Sequence, residues 1–205
     1  MKQVRDSVYI WVTWLTKLIS GEQQCEWQSW FKAHHKYDKK PGSFDLAKWS
    51  MKHNKLMHAC RDKLKAEGYT VTIEDQNQFY LNLPSGITVS GKADVAAIKG
   101  RLNLIVDCKT GQPKNSDLVQ VMLYMIFLPL CIKRFKDIVF EGQVSYSNYD
   151  VPIHSMDIDN DLKDLVYEII EKIGGETPLP KCPSYGECRY CDITKKDCSE
   201  KVEKA

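Results

Sequence analysis

The chain has 205 residues, 43% hydrophobic and 27% charged, with a formal net charge of +2. That balance fits one soluble globular domain with a real core and, at most, a small appended module. A nearly neutral charge excludes a bulk basic field, so any affinity for nucleic acid must come from local patches. In chain order, residues 5–35 read as largely helical, aromatic and basic. The apolar part of this stretch, residues 8–19, is broken by Lys17 and has no small-residue cleavage site, so no secretory signal is expected. A second helix is expected over 44–67. Its apolar stripe of Leu46, Trp49, His53, Met57, Cys60 and Leu64 repeats at steps of three and four, and Gly68 ends it. Strands follow near 69–73, 79–83, 87–97 and 102–107. Ser116 or Asp117 can cap a helix that holds Val121 to Leu128 and stops near Pro129. The apolar run 119–132 contains Gln120 and Pro129 and is too short to span a bilayer, so no membrane partner is expected. A strand over 138–146 and a helix over 160–173 complete the core, giving an α/β or α+β fold. The chain thus divides into a helical part at 1–67, a core at 68–173 and a cysteine-rich segment at 174–205.

Within the core, "GKADVAAIKGRLNLIVDCKTG" at 91–111 carries the chemistry. A two-residue turn at Gly100-Arg101 would pair Lys99 with Leu102 and, further out, Asp94 with Asp107. Opposed carboxylates repel, and Lys109 leaves the same face as Asp107. A hard divalent cation between the acids would relieve the repulsion. The plainer alternative is a solvated hairpin with a surface salt bridge. On the following helix Gln120 and Tyr124, four apart, share a face.

Four of the eight cysteines, Cys182, Cys188, Cys191 and Cys198, crowd a segment with few apolar residues that cannot fold by burial alone. Without an export signal, such clustering favours metal ligation over disulfides. These four suffice for a tetrahedral zinc site. Cys60 and Cys131 lie in apolar contexts and read as packing residues. Trp27, Trp30, Phe31 and Tyr37 are interleaved with Lys32, Lys36, Lys39 and Lys40, a pattern that suits single-stranded nucleic acid. An amphipathic helix with buried aromatics reads as well for Trp27 and Trp30.

Taken together, "GKAD" at 91–94, "VDCK" at 106–109 and "QVMLY" at 120–124 resemble the RecB-like branch of the PD-(D/E)XK nucleases. An upstream histidine and an N-terminal cysteine paired with a C-terminal cysteine cluster complete the pattern. The sequence is most similar to the CRISPR-associated RecB-like exonucleases and to AddB-type iron–sulfur nuclease domains. It departs from their pattern at Ala93, where the family has proline, and at Asp107, where glutamate is commoner.

The resemblance implies a restriction-endonuclease-like core and a cytoplasmic nuclease. Its substrate would be single-stranded DNA or DNA with free ends, and its partners those of a DNA-processing or CRISPR adaptation complex. Asp94, Asp107, the carbonyl of Cys108 and His58 would ligate Mg²⁺ or Mn²⁺, which would polarise the phosphodiester and activate a water. Lys109 would orient that water or stabilise developing charge, and Gln120 and Tyr124 would position the scissile strand or the lysine. His58 is the expected ligand because "KLMHACRDKL" resembles the family's histidine element, whereas His53 lies on the apolar stripe and is expected in the core. The two stand about 140° apart around a helix, so one site would not use both. Cys25, Cys188, Cys191 and Cys198 would hold a structural [4Fe–4S] cluster, with Cys182 as the competing fourth ligand or as a member of a local Zn²⁺ site. The rival function is a catalytically silent DNA-binding or adaptor module of the same fold with structural zinc.

Overall fold

The structure, a computed structural model, describes residues 2–41 and 45–203. The expected start of the second helix at residue 44 lies outside them. The N-terminal part is less helical than its composition suggests. Short strands β1 (Gln3–Val4) and β2 (Tyr9–Trp11) precede helix α1 (Val12–Ile19), and α2 (Glu26–His34) leads into β3 (His35–Lys36). The aromatic and β-branched run from Val8 to Trp11 favours an extended backbone, and Gly21, at φ +73°, breaks the chain between the helices. Helix α3 (Leu46–Ala66) is capped by Asp45, whose carboxylate accepts the Lys48 N–H at 2.9 Å.

Strands β4 (Thr70–Ile73), β5 (Gln78–Asn82), β6 (Thr88–Lys92), β7 (Val95–Lys99) and β8 (Leu102–Lys109) follow. Then come α4 (Asn115–Cys131), β9 (Glu141–Tyr146), β10 (Asp150–Ile153), α5 (Asn160–Gly174) and the single turn α6 (Tyr185–Cys188). Helix α4 runs two residues past Pro129, which falls in its last turn. The fold is mixed α/β. One sheet has the order β10-β9-β8-β7-β4, a second the order β2-β6-β5, and β1 pairs with β3. The single strand expected over 87–97 is two: β6 belongs to the smaller sheet and β7 to the larger, with Ala93 and Asp94 at the crossing. The β7–β8 hairpin has the expected register, Lys99 opposite Leu102 and Val95 opposite Val106. Gly100 makes its turn with φ +61°, a conformation that costs glycine little. Strands β8 and β9 are parallel, as are β2 and β6.

The main core lies where α1, α4 and α5 meet the sheets, around Ile10, Leu15, Val89, Ile105, Phe127, Val144 and Ile170. On the other face of the larger sheet Met57 and Leu64 of α3 pack on Val95, Ala97, Val106 and Cys108. Alternation along β8 therefore sends Val106 and Cys108 toward α3 and Ile105 and Asp107 toward α4. No helix among the described residues is long and apolar enough to cross a membrane.

Candidate functional site

Asp94 sits just before β7, where the chain passes between sheets, and Asp107 near the end of β8. The register extended by one pair sets them opposite each other. Asp94 spans the two layers: one carboxylate oxygen accepts the Cys108 N–H at 2.7 Å, and the other lies 3.4 Å from Nε2 of His53. Asp107 is 1% exposed. Its Oδ1 accepts from Gln120 Nε2 at 2.9 Å. Its Oδ2 stands 2.7 Å from Lys109 Nζ, close enough for an ion pair but without the alignment of a hydrogen bond.

Lys109 also donates to Gln120 Oε1 at 2.9 Å, and Gln120 donates to the Tyr124 hydroxyl oxygen at 3.1 Å. The one-residue chain of contacts Asp107–Gln120–Lys109 is closed by the direct ion pair. Tyr124 fits because Gly91 lies against it: a Cβ there would stand 2.7 Å from the Phe79 ring and 3.0 Å from Tyr124. The glycine of "GKAD" is thus a packing requirement of the site.

Electrostatics follow from burial. Burial pushes the Asp107 carboxyl up to about 7; the Lys109 charge works against that rise and Asp94 adds to it. Burial alone would depress the Lys109 ammonium, but Asp107, Asp117 and Asp94 together outweigh it and hold its pKa above the usual lysine value. The His53 imidazole is raised by its hydrogen bond to Asp94, against the effect of burial.

Asp94, Asp107, Lys109, Gln120 and Tyr124 are brought together as expected. The histidine beside the acids is His53, where His58 was expected. His53 reaches Asp94 and lines the cleft, whereas His58 is exposed, turned away around α3. His53 does share the stripe with Met57 and Leu64, but what lies opposite it is Asp94, not the apolar side chains those two pack against. Asp117 also belongs to the site: it accepts the Lys114 N–H at 3.2 Å and the Tyr146 hydroxyl at 2.9 Å, and lies 3.9 Å from Lys109 Nζ. Its spacing of three from Gln120 could have signalled the shared face. Thr13, Trp49, Thr110, Gly111, Gln112 and Lys114 also line the cleft.

The expected nucleic-acid residues serve another end. Lys32 is 9% exposed and pairs with Asp192 at 2.8 Å, and the Tyr37 hydroxyl donates to the same carboxylate at 3.0 Å. Trp27, Trp30 and Phe31 are buried with Ile193. These groups anchor the C-terminal segment, while Lys36, Lys39 and Lys40 stay exposed.

Cys25, Cys182, Cys188, Cys191 and Cys198 line one small pocket. The Cys182 N–H donates to the Cys25 sulfur, so Cys182 reaches that neighbour through its backbone. Lys201, 4% exposed, donates to the carbonyls of Cys191 and Ile193 at 2.7 and 2.5 Å and brings positive charge to the thiols.

Among the described residues, no three or more His, Cys, Asp or Glu side chains are spaced to hold a single metal ion. At the acid pair, His53 and Lys109 stand against the carboxylates, and a cation would have to displace at least the Lys109 contact. The donor set still fits a hard divalent ion: two carboxylates and an imidazole, with one buried Asp107 oxygen lacking a hydrogen bond. At the cysteines, the soft donor set fits iron–sulfur or zinc chemistry, and a cluster needs its thiolates further apart than one ion does.

No family model and no curated protein matches the chain. Among solved structures it is similar to the crystal structure of SSO0001, at 15% identity, covering 98% of this chain and 91% of that one, with a TM-score of 0.49. A likeness at that level carries no inference about activity.

Proposed function

We propose that the chain is a metal-dependent deoxyribonuclease of the PD-(D/E)XK type. The observation that supports this most is the convergence of Asp94 and Asp107 with Lys109, held in place by Gln120. Asp94, Asp107, His53 and the carbonyl of Cys108 would hold Mg²⁺ or Mn²⁺. When bound, the ion would supply Lewis-acid polarisation of the phosphodiester and a more acidic water.

The remaining work falls to the chain. Lys109 carries a positive charge that its acidic neighbours stabilise, next to where charge develops on phosphate oxygens. Gln120 fixes the ammonium by accepting a hydrogen bond from it at Oε1 and fixes Asp107 by donating to it from Nε2. Tyr124 in turn holds the amide of Gln120 and is itself buried. His53 orients Asp94 from α3.

The cysteine segment would hold a [4Fe–4S] cluster with Cys25, Cys188, Cys191 and Cys198 as ligands, in a structural role. Zn²⁺ is the alternative occupant. The substrate would be single-stranded DNA or DNA ends, acted on in the cytoplasm, within a DNA-processing or CRISPR adaptation complex.

The test is cleavage of end-labelled single-stranded and duplex DNA by purified protein with Mn²⁺, Mg²⁺ or EDTA. Cleavage with either ion and none in EDTA is expected. Binding without cleavage under every condition would favour the silent module instead.

A further inference from the structure

Lys109 has two carboxylates in front of it and is in direct contact with one. Asp107 Oδ2 stands 2.7 Å from its Nζ, whereas Asp117 Oδ1 stands 3.9 Å away, too far for a hydrogen bond. Asp117 is nevertheless costly to keep there. Its side chain is only 13% exposed, and it adds a third acid to a cleft that already holds Asp94 and Asp107. Capping accounts for one of its oxygens, since Oδ2 accepts the Lys114 N–H at the start of α4. It does not account for the other.

The contacts around Asp117 fix where Oδ1 points. Its Oδ2 also accepts the Tyr146 hydroxyl at 2.9 Å, and the Tyr146 ring is stacked on that of Tyr149, with centroids 4.9 Å apart. The preceding residue, Ser116, is gripped by Glu22, which accepts its N–H at 3.1 Å and its hydroxyl at 2.7 Å. The first turn of α4 is thus clamped from two sides. Lys109, by contrast, ends β8 and carries its charge on a flexible four-carbon stem. Gln120, about one turn along α4 from Asp117 and on the same face, accepts from Nζ at 2.9 Å. A shift of the ammonium by about 1 Å would bring it within hydrogen-bond distance of the clamped carboxylate.

A divalent ion at the acid pair gives that second acid its purpose. The ion would take the oxygen that Lys109 now faces. The ammonium, on a side chain only 24% exposed, would then meet a like charge and lose its closest counter-charge. We propose that Asp117 is a positioning residue, the carboxylate that receives Lys109 when the ion takes Asp107 Oδ2. Lys109 turns from one acid to the other about its contact with Gln120, so its charge stays in the cleft instead of swinging out into water. Asp117 touches neither the ion nor the substrate and acts through the lysine. The proposal rests on the reading of Asp94 and Asp107 as a divalent-cation site.

The experiment is Mn²⁺ titration calorimetry of the full chain as a double-mutant cycle, read on the ion whose uptake Asp107→Asn abolishes. Asp117→Asn should weaken that uptake about tenfold, because Lys109 then has no second acid and holds Oδ2 against the ion. In a Lys109→Ala background, Asp117→Asn should change uptake by less than about twofold. A carboxylate that acts only by its charge or by capping α4 would cost the same in both backgrounds, and that result would overturn the role. A crystal structure of wild-type protein with Mn²⁺ provides a check that needs no variant to fold: Lys109 Nζ should lie about 3 Å from Asp117 Oδ1. An ammonium still on Asp107, or turned out to solvent, would overturn the role as well. Equal uptake by wild type and Asp117→Asn would overturn the role and leave the metal site standing. If wild-type protein takes up no Mn²⁺ at the acids, the metal site fails first and the role with it.

Discussion

The two oxygens of Asp107 meet different partners, and that difference sets what each neighbouring residue should do. Oδ1 is satisfied by Gln120, while Oδ2 faces only the Lys109 ammonium. His53→Ala should therefore lower metal-dependent cleavage by at least tenfold, because Asp94 loses its partner on α3. His58→Ala should leave cleavage and melting temperature unchanged, as expected of an exposed side chain. Parallel cleavage assays and thermal melts check both. In metal-free protein, acid pKa shifts add a second expectation. Asp107 is raised to about 7, so between about pH 4 and pH 7 the folded state keeps a proton that the unfolded state has released. His53 is raised too, so the stability it contributes is complete below about pH 6.5 and is lost as pH rises through its folded pKa. Both shifts have one sign: melting temperature in EDTA should fall as pH rises from 4 through 7. Asp107→Asn should flatten the lower part of that fall. Denaturant melts at several pH values would show it, and a metal-free stability that climbs over the same range would contradict it.

At the scale of elements, what was legible in the sequence was local. The β7–β8 hairpin could be read because the turn glycine and both strands lie within a few residues, so the register of the acids followed directly. Helix α4 and its Gln120–Tyr124 face could be read from a spacing of four. Strand β2 could not, because its partner β6 is about eighty residues away and parallel, leaving no turn to mark it. The break between β6 and β7 was missed although Gly91, Lys92, Ala93 and Asp94 are poor strand formers, because β-branched residues on both sides of them read as one strand. His53 was misread because periodicity reports a helix face, not what lies opposite it. The crossing also explains why Gly91 matters. Gly91→Ala would force Phe79 and Tyr124 apart, at a cost of about 1–3 kcal/mol, and would move the helix face that carries Gln120. Cleavage should drop more than the loss of folded protein accounts for, measured at a temperature where the variant is still folded.

For the whole molecule, the two ends of the chain are joined by protein contacts before any metal is considered. Glu187 accepts the N–H groups of Gln24 and Cys25 at 2.9 and 3.3 Å, Pro180 accepts that of Trp27 at 3.0 Å, and Asp192 takes Lys32 and Tyr37. The cysteine count predicted a staple but not these anchors, which depend on residues far apart in sequence. If Cys25 is a cluster ligand, Cys25→Ala should abolish the brown colour of anaerobically purified protein and expose new proteolytic cuts before about residue 37 and after 178. Cys182→Ala should stay coloured, because Cys182 meets the Cys25 sulfur through its N–H. A coloured Cys25→Ala protein beside a colourless Cys182→Ala protein would reverse the assignment.

The central claim is that Asp94 and Asp107 form a divalent-cation site from which Lys109 must yield, and Mn²⁺ titration calorimetry tests it without any substrate. Wild-type protein should take up one ion per chain at this site, and Asp107→Asn should lose that uptake. Lys109→Ala should bind the ion at least as tightly as wild type, since its ammonium no longer competes for Oδ2, yet fail to cleave DNA. Identical Mn²⁺ uptake by wild type and Asp107→Asn, or weaker uptake by Lys109→Ala, would contradict the account.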